Sequence, residues 1–376
     1  AGTRDALAFD DAFADLGVSP GVGVGSDSGM VSVTVLSRNV EPAMGLLADA
    51  VIRPRMQQKD FDRRKGQLLA DQARMAGEPR FAANWAMSET VFGASHPYGH
   101  LTTGTTGSIK GITLANAKSY VTKHLGPKAC ALVTAGDITL EDAKALAQKH
   151  LGTWKSAATR PAAPAKLEPT VRKNVAFVAK DGLAQTIIYL ARPGLVAGHP
   201  DEPALDMATS IFGGFFGSRL NMNLREDKGY TYGAFASSSS RRGPGAILAG
   251  SSVRADVTGP ALKEMFSELE GLTKRPITTE ELEEAREGLI RSLPGDFSTV
   301  GSLAGTAAAL FVTGEPLDSL QTWVSQVQGA DAATVQKAAE TYLKPELLQV
   351  IMVGDPKTVN DQVPALELGA IQTLQL

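Results

Sequence analysis

The sequence is poor in the features that mark disulfide-rich, membrane and nucleic-acid-binding proteins. Cys130 is the single cysteine, so no disulfide can form within the chain. No apolar run approaches the roughly 18 residues that a membrane span requires. The formal net charge is -3 and both signs are spread along the chain, so no basic stripe can neutralise a row of phosphates. The sequence predicts a folded protein that binds neither membranes nor nucleic acid.

Histidine is scarce as well, with five residues in 376. His96 and His100 are four positions apart, a spacing that aligns two metal ligands on a helix, but Pro97 and Gly99 predict a loop instead. The other three histidines are isolated near the ends of predicted elements, at positions 124, 150 and 199. We therefore predict no metal site built from histidines.

An internal repeat is the clearest feature that is present. Ala129–Gly152 predicts an apolar strand, an Ala-Gly-Asp turn and an amphipathic helix, and Leu347–Gly369 has the same order with Val-Gly-Asp. Gly136 and Gly354 in these turns are 218 positions apart, and the helical pattern that precedes each strand repeats at the same offset. Agreement of several elements at one offset indicates a duplicated domain.

The repeat sets the predicted domain organisation. We predict a first domain over residues 1–152, an exposed Ala- and Pro-rich linker over 153–174, and a second domain over 175–376. Meander-like groups of strands followed by runs of helices favour an α+β fold, in which each domain has a largely antiparallel sheet with helices packed on one face. The offset leaves the opening strands and first helix of the second domain without counterparts in the first, and we expect the natural protein to contain them.

The most informative segment is 211–233, Ile-Phe-Gly-Gly-Phe-Phe-Gly-Ser-Arg-Leu-Asn-Met-Asn-Leu-Arg-Glu-Asp-Lys-Gly-Tyr-Thr-Tyr-Gly. Its glycines permit sharp bending before a helix that Ser218 could cap. Arg225 near the end of that helix could bond peptide carbonyls or a carboxylate, and Tyr232 could donate its phenolic proton to a carbonyl. Alternatively, Arg225 pairs with a neighbouring acid and Tyr232 is half-buried in a sheet. No Lys-Ser or Lys-Thr follows the glycines at phosphate-loop spacing, so the segment does not predict a nucleotide site.

Together with the preceding residues 205–210, Leu-Asp-Met-Ala-Thr-Ser, this segment resembles the second domain of the pitrilysin, insulinase and mitochondrial-processing-peptidase family of zinc peptidases. In that family an arginine and a tyrosine seven positions apart orient the substrate, and Arg225 and Tyr232 have this spacing. Gly2-Thr3-Arg4, Leu69-Ala-Asp-Gln and His96-Pro-Tyr-Gly resemble segments of the family's first domain. The resemblance covers nearly the whole chain and implies duplicated α+β domains that enclose a chamber.

The departures from the family concern the metal. Active members bind zinc through H-x-x-E-H on a helix and a distant glutamate. H-x-x-E-H does not occur in this sequence, and the position of the third ligand is Asp71, whose side chain is one methylene shorter than that of glutamate. The resemblance therefore implies a chain without its own zinc, in which Asp71 is a degenerate third-ligand position.

Three functions remain open from the sequence. The first is a substrate-binding, non-catalytic subunit of a heterodimeric zinc peptidase, whose homologous partner carries the zinc while this chain holds peptide through Arg225 and Tyr232. The second is a self-sufficient peptidase whose metal motif lies outside this sequence. The third is a purely structural family member. Resemblance to secreted bacterial members suggests the periplasm, with the cytoplasm as the alternative.

Overall fold

The structure is a computed structural model that describes residues 1–375. Its helices are α1 Ala6–Ala14, α2 Val40–Ile52, α3 Gln58–Met75, α4 Pro79–Phe92, α5 Thr106–Gly111, α6 Leu114–His124, α7 Leu140–Leu151, α8 Glu202–Thr209, α9 Arg219–Asn221, α10 Thr258–Lys274, α11 Thr279–Ser292, α12 Val300–Thr313, α13 Ser319–Gly329, α14 Ala332–Tyr342 and α15 Pro356–Gln362. Its strands are β1 Gly21–Val24, β2 Gly29–Ser32, β3 Asn174–Ala179, β4 Gln185–Pro193, β5 Thr231–Ser239, β6 Ala246–Arg254, β7 Gln349–Gly354 and β8 Ala370–Thr373. None of the helices within residues 1–375 is both long and apolar enough to cross a bilayer.

Packing divides the chain into two compact units. The first unit contains residues 1–73, 102–162 and 294–314, and the second contains residues 74–101, 163–293 and 315–376. Helix α4 therefore belongs to the second unit although it precedes the linker, and α12 belongs to the first unit although it follows the linker. The predicted domain boundaries at residues 152 and 175 follow from the sequence repeat, whereas the compact units are defined by packing. The boundaries of the duplicated domains therefore stay a prediction.

The second unit is built around one mixed sheet with the strand order β5-β6-β4-β7-β3-β8. The pairs β5–β6, β6–β4 and β4–β7 are antiparallel, whereas β7–β3 and β3–β8 are parallel. Strands β4 and β7 lie near the centre and are buried along almost their whole length. Burial on both faces explains why they are continuous apolar runs rather than alternating ones.

Helices cover both faces of this sheet. On one face Ile188, Leu190 and Met352 pack against α8, α10 and α14 in the main core. On the other face Ile187 and Val353 pack against α4, whose alanines lie directly on the strands. The predicted α+β class with an antiparallel-dominated sheet and packed helices is confirmed, and the structure adds α4 as a second helical layer.

The first unit contains the hairpin β1–β2 and a group of helices. Its helix α6 and the corresponding α14 of the second unit begin and end 218 residues apart, which agrees with the repeat. The strand predicted at residues 129–135 is not formed, and that prediction was wrong. Its counterpart β7 is hydrogen-bonded on both sides, to β4 and β3. Within the described part of the first unit, the strands β1 and β2 form a two-stranded sheet of their own, so residues 129–135 have no ladder to join.

Candidate peptide-binding site

Arg225 and Tyr232 flank a tight turn between a helix and strand β5. Helix α9 continues as a π-helical turn over Met222–Asp227, and Arg225 lies in that turn. Gly229 then reverses the chain with φ +62°, a left-handed conformation that glycine adopts without steric cost. The backbone N–H of Gly229 donates to Arg225 O at 3.2 Å, and that of Tyr230 donates to Leu224 O at 2.8 Å. The turn is thus fixed by its own backbone, and Leu224 is fully buried beneath it.

Arg225 remains accessible although it has two neighbours. Its side chain is 42% exposed, and Nε lies 3.4 Å from a carboxylate oxygen of Glu226. Its guanidinium carbon lies 4.7 Å from the ring centre of Phe216, within the range of a cation–π contact. Pairing with the adjacent acid, the alternative considered from the sequence, therefore occurs. It does not bury the guanidinium.

Tyr232 projects into solvent near the start of β5, where it is 91% exposed. Side chains alternate along a strand, and the preceding Thr231 points inward, where its hydroxyl donates to Ser252 O at 2.8 Å. The register with β6 is irregular between Thr231 and Ala234. The idea of a half-buried tyrosine is wrong, because this outward face of β5 places the phenol away from the sheet.

The glycines of the segment allow the loop before α9 to lie directly on β5. A Cβ atom at Gly213 would be 2.6 Å from the backbone nitrogen of Ala236, and one at Gly214 would be 2.9 Å from Ser210 Oγ. The contact at Gly213 is with the backbone of β5 and excludes any side chain unless the backbone moves, whereas the contact at Gly214 is with the side chain of Ser210. Gly213 therefore permits close packing of the loop against the strand that carries Tyr232.

Asn221 joins these segments and was not identified from the sequence. Its side chain is almost fully buried, and Nδ2 donates to Phe215 O at 3.1 Å and to Ala234 O at 2.8 Å. Its Oδ1 accepts the N–H of Ala234 at 2.9 Å. The carboxamide thus occupies the outer edge of β5 as a neighbouring strand would. It connects the loop, the helix of Arg225 and the strand of Tyr232.

The start of α9 is held by a salt bridge rather than by a serine cap. Ser218 occupies the N-cap position without a side-chain capping bond, and its hydroxyl accepts from Asn221 Nδ2 at 3.2 Å. Arg219 donates to both carboxylate oxygens of Glu281, at 2.6 and 2.8 Å. Burial is the largest single influence and would raise the pKa of Glu281. The hydrogen bonds from Arg219 and the Thr278 backbone, together with the charges of Arg219 and Arg275, outweigh burial, and the pKa is lowered. Glu281 is therefore held as the carboxylate that Arg219 requires.

A buried acid lies behind the other end of β5. Asp206 on α8 accepts hydrogen bonds from Ser238 Oγ and, at 3.0 Å, from Trp323 Nε1. Desolvation by burial raises its pKa from 3.8 to about 6, although both hydrogen bonds favour the charged form. Its charge therefore changes close to neutral pH. The sequence alone assigned no role to this residue.

The position expected for a third zinc ligand does not form a metal site. Asp71 lies on the exposed side of α3 in the first unit, next to buried Gln72, whose amide bonds the loop at Thr103 and Gly104. Within residues 1–375 no group of three or more His, Cys, Asp and Glu side chains could hold a metal ion. The residues described here do not fit a zinc site.

His96 follows the end of α4 and has a structural role. Its Nδ1 accepts the N–H of Tyr98 at 3.1 Å, and Nε2 is 3.1 Å from Ala165 O. Because Nδ1 accepts, Nε2 carries the proton and donates to Ala165. The Tyr98 hydroxyl in turn accepts the N–H of Gly243. This His-Pro-Tyr-Gly segment fastens the end of α4 within the second unit.

Comparison with known proteins agrees with the resemblance. Residues 111–289 match the protein-family profile described as "Peptidase M16 inactive domain". The chain is 23% identical over 281 residues to an uncharacterised zinc protease of Streptomyces coelicolor, covering 73% of this chain and 60% of the relative. It is 21% identical to a Helicobacter pylori protein named non-peptidase homolog YmxG, covering 87% and 76%. The first of these matches thus spans less than two thirds of the relative's length.

Solved structures give the same fold. The peptidase M16 inactive domain from Pseudomonas fluorescens superposes with a TM-score of 0.82 at 26% identity, covering 94% of this chain and 85% of the other. A protease from Helicobacter pylori superposes with a TM-score of 0.86 at 19% identity and the same coverage. Residues 111–289 thus match the domain of M16 peptidases described as inactive, and the chain has the fold of solved structures similar to M16 peptidases.

Proposed function

We propose that this chain is a substrate-binding, non-catalytic subunit of an M16 peptidase complex, and that it holds peptide through Arg225 and Tyr232. The observation that carries the proposal is that both side chains are exposed while the backbone beneath them is fixed. Gly229 and Asn221 hold the helix end and the strand in place. Two exposed polar groups on a rigid base form a site that can bind without reorganising the fold.

The chemistry of the two groups suits an extended peptide. A guanidinium presents several N–H donors in one plane and can bond one or two carbonyl oxygens, or a carboxylate. A phenol can donate to a further carbonyl. Peptide backbone offers such acceptors at every residue, so the pair would recognise peptides with little dependence on sequence. Hydrolysis itself is assigned to a homologous partner that carries the metal.

Two other functions make different predictions. A self-sufficient peptidase would bind zinc stoichiometrically and cleave peptides as the full-length chain alone. A purely structural member would leave a partner's cleavage rate unchanged. Exposure of Arg225 and Tyr232 favours substrate binding over a structural role, because a residue kept only for packing would be buried. Location in the periplasm stays a prediction.

The test uses full-length chain, alone and mixed with a candidate partner that contains H-x-x-E-H. Binding of a fluorescein-labelled unstructured peptide is followed by anisotropy, cleavage by release of the label, and assembly by size-exclusion chromatography. We expect Arg225→Ala to raise Kd about 10- to 100-fold, as loss of a charged hydrogen bond does, and Tyr232→Phe to raise it about 2- to 10-fold. Both variants should assemble normally.

Matched controls come from exposed residues elsewhere. Arg291 is 77% exposed and pairs with Glu287 one turn away, and Tyr120 is 61% exposed on α6. Arg291→Ala and Tyr120→Phe should leave peptide binding unchanged. Equal binding by wild type, Arg225→Ala and Tyr232→Phe would contradict the proposed function.

A further inference from the structure

The guanidinium of Arg225 stacks on the ring of Phe216. The guanidinium carbon lies 4.7 Å from the ring centre, and Glu226 approaches only Nε, at 3.4 Å. Within residues 1–375, Arg225 Nη1 and Nη2 make no hydrogen bond to another residue. The stack therefore restrains the guanidinium through its face and leaves the two terminal nitrogens available.

The loop fixes Phe216 in this outward position. The neighbouring Phe215 turns the other way and packs against the main core, while Phe216 stays 58% exposed. Phe215 O accepts hydrogen bonds from Ser218 N at 3.2 Å and from Asn221 Nδ2 at 3.1 Å. A Cβ atom at Gly217 would lie 3.3 Å from the Phe215 ring, tighter than most such contacts. Phe215 thus anchors the loop, and the next residue is presented to solvent.

An exposed phenylalanine at the tip of a polar site requires an explanation. Exposure of a phenyl ring to water is unfavourable, and stacking on a cation recovers part of that cost. An unrestrained arginine loses much of its rotamer freedom when it binds a ligand, whereas a guanidinium already held in place loses less. The stack therefore favours ligand binding by Arg225, although Phe216 itself does not contact the ligand atoms that Arg225 bonds.

We propose that Phe216 is a positioning residue for Arg225, which holds the guanidinium with its two terminal nitrogens presented to a peptide carbonyl or carboxylate oxygen. This inference rests on the proposed function and deepens it, because it assigns the orientation of Arg225 to one aromatic side chain. Aromatic replacements should preserve the role, and an aliphatic residue of similar size should not. The effect of Phe216 should also require Arg225.

The experiment is a double-mutant cycle on the full-length chain, with Phe216→Leu, Phe216→Tyr, Arg225→Ala and the pair Phe216→Leu/Arg225→Ala. The probe is a fluorescein-labelled unstructured peptide, prepared with an amidated and with a free C-terminus. Phe216→Leu should raise Kd about 2- to 5-fold, the size of an exposed cation–π contact, and Phe216→Tyr should restore wild-type binding. In the Arg225→Ala background, Phe216→Leu should have no further effect on Kd.

The two peptides distinguish the group that Arg225 binds. An increase in Kd confined to the peptide with a free C-terminus identifies a terminal carboxylate as the ligand. An equal increase for both peptides identifies backbone carbonyls.

The chain offers a matched control for removal of such a stack. In the first unit Arg160 lies over the ring of Phe311 at 5.5 Å, and Phe311 is 41% exposed. Phe311→Leu should leave peptide binding at the wild-type level. The inference is overturned if Phe216→Leu binds as wild type while Arg225→Ala is weakened, or if it weakens binding equally in both backgrounds. The proposed function fails separately if Arg225→Ala itself has no effect.

Discussion

At the scale of single residues, the most unusual ionisable group is Asp206. Its carboxylate is buried beside Ser238 and Trp323, and desolvation by burial raises the pKa to about 6. A carboxyl whose pKa is higher in the folded than in the unfolded chain stabilises the fold most when it is protonated. Its contribution is complete below about pH 3.8 and is lost as the pH rises through about 6.

Asp206→Asn should remove this pH dependence. The amide can still accept from Trp323 through Oδ1 and donate to Ser238 through Nδ2, but it carries no charge. We expect the free energy of unfolding of the variant to exceed that of wild type by about 1–3 kcal/mol at pH 8 and to match it near pH 4. Urea unfolding at several pH values measures the difference, with Asp10→Asn on the exposed side of α1 as the control. A difference that does not change with pH would show that Asp206 is not the group responsible.

Asn221 illustrates a residue whose role depends on contacts distant in sequence. Asn221→Ala would leave the N–H and C=O of Ala234 buried without their partners, which costs about 2–4 kcal/mol. Asn221→Asp should be at least as destabilising, because a carboxylate cannot donate to Phe215 O or Ala234 O. Chemical denaturation measures both, and Asn360→Ala on the surface of α15 should change stability by less than about 0.5 kcal/mol. Wild-type stability in Asn221→Ala would mean that the carboxamide does not hold the edge of β5.

At the scale of elements, the sequence predicts what depends on local pattern. The apolar run of β7, the capping box at Thr278 and the turn around Gly25 follow from neighbouring residues, and the structure contains all three. The strand predicted at residues 129–135 failed because an apolar run becomes a strand only beside other strands. The mixture of parallel and antiparallel pairs is likewise set by chain topology and not by any local signal.

The residues of the candidate site also fall into those that the local sequence predicts and those that it does not. Arg225 and Tyr232 could be predicted, since their spacing matches a family pattern. Asn221 and Asp206 could not, because their partners are 13 and 117 positions away on other elements. A polar residue flanked by buried leucine or methionine, as Leu220-Asn221 and Asp206-Met207 are, is the only local sign that such a role exists.

At the scale of the whole molecule, the duplication is not a simple succession of two independent halves. Helices α4 and α12 lie 221 residues apart, close to the repeat offset, and each is grouped with the unit formed mainly by the other half. In the second unit α4 covers one face of the strands β3, β4 and β7 and buries Ile187, Tyr189 and Val353. That face would otherwise present an extended apolar surface to water.

Separation of the halves should therefore expose this face. A fragment of residues 174–376 lacks α4, and we expect it to bind the dye ANS and to self-associate, because the strand side chains that α4 covers would be accessible. The same fragment with residues 77–101 attached through a flexible Gly/Ser linker should bind less dye and remain monomeric. Size-exclusion chromatography with light scattering and ANS fluorescence measure both properties. Fusion of residues 114–138, a helix-containing segment of equal length from the first unit, is the control for a nonspecific benefit of added chain. A monomeric 174–376 fragment that binds no ANS would show that the sheet of the second unit does not need α4, and that the second half of the duplication folds without the first.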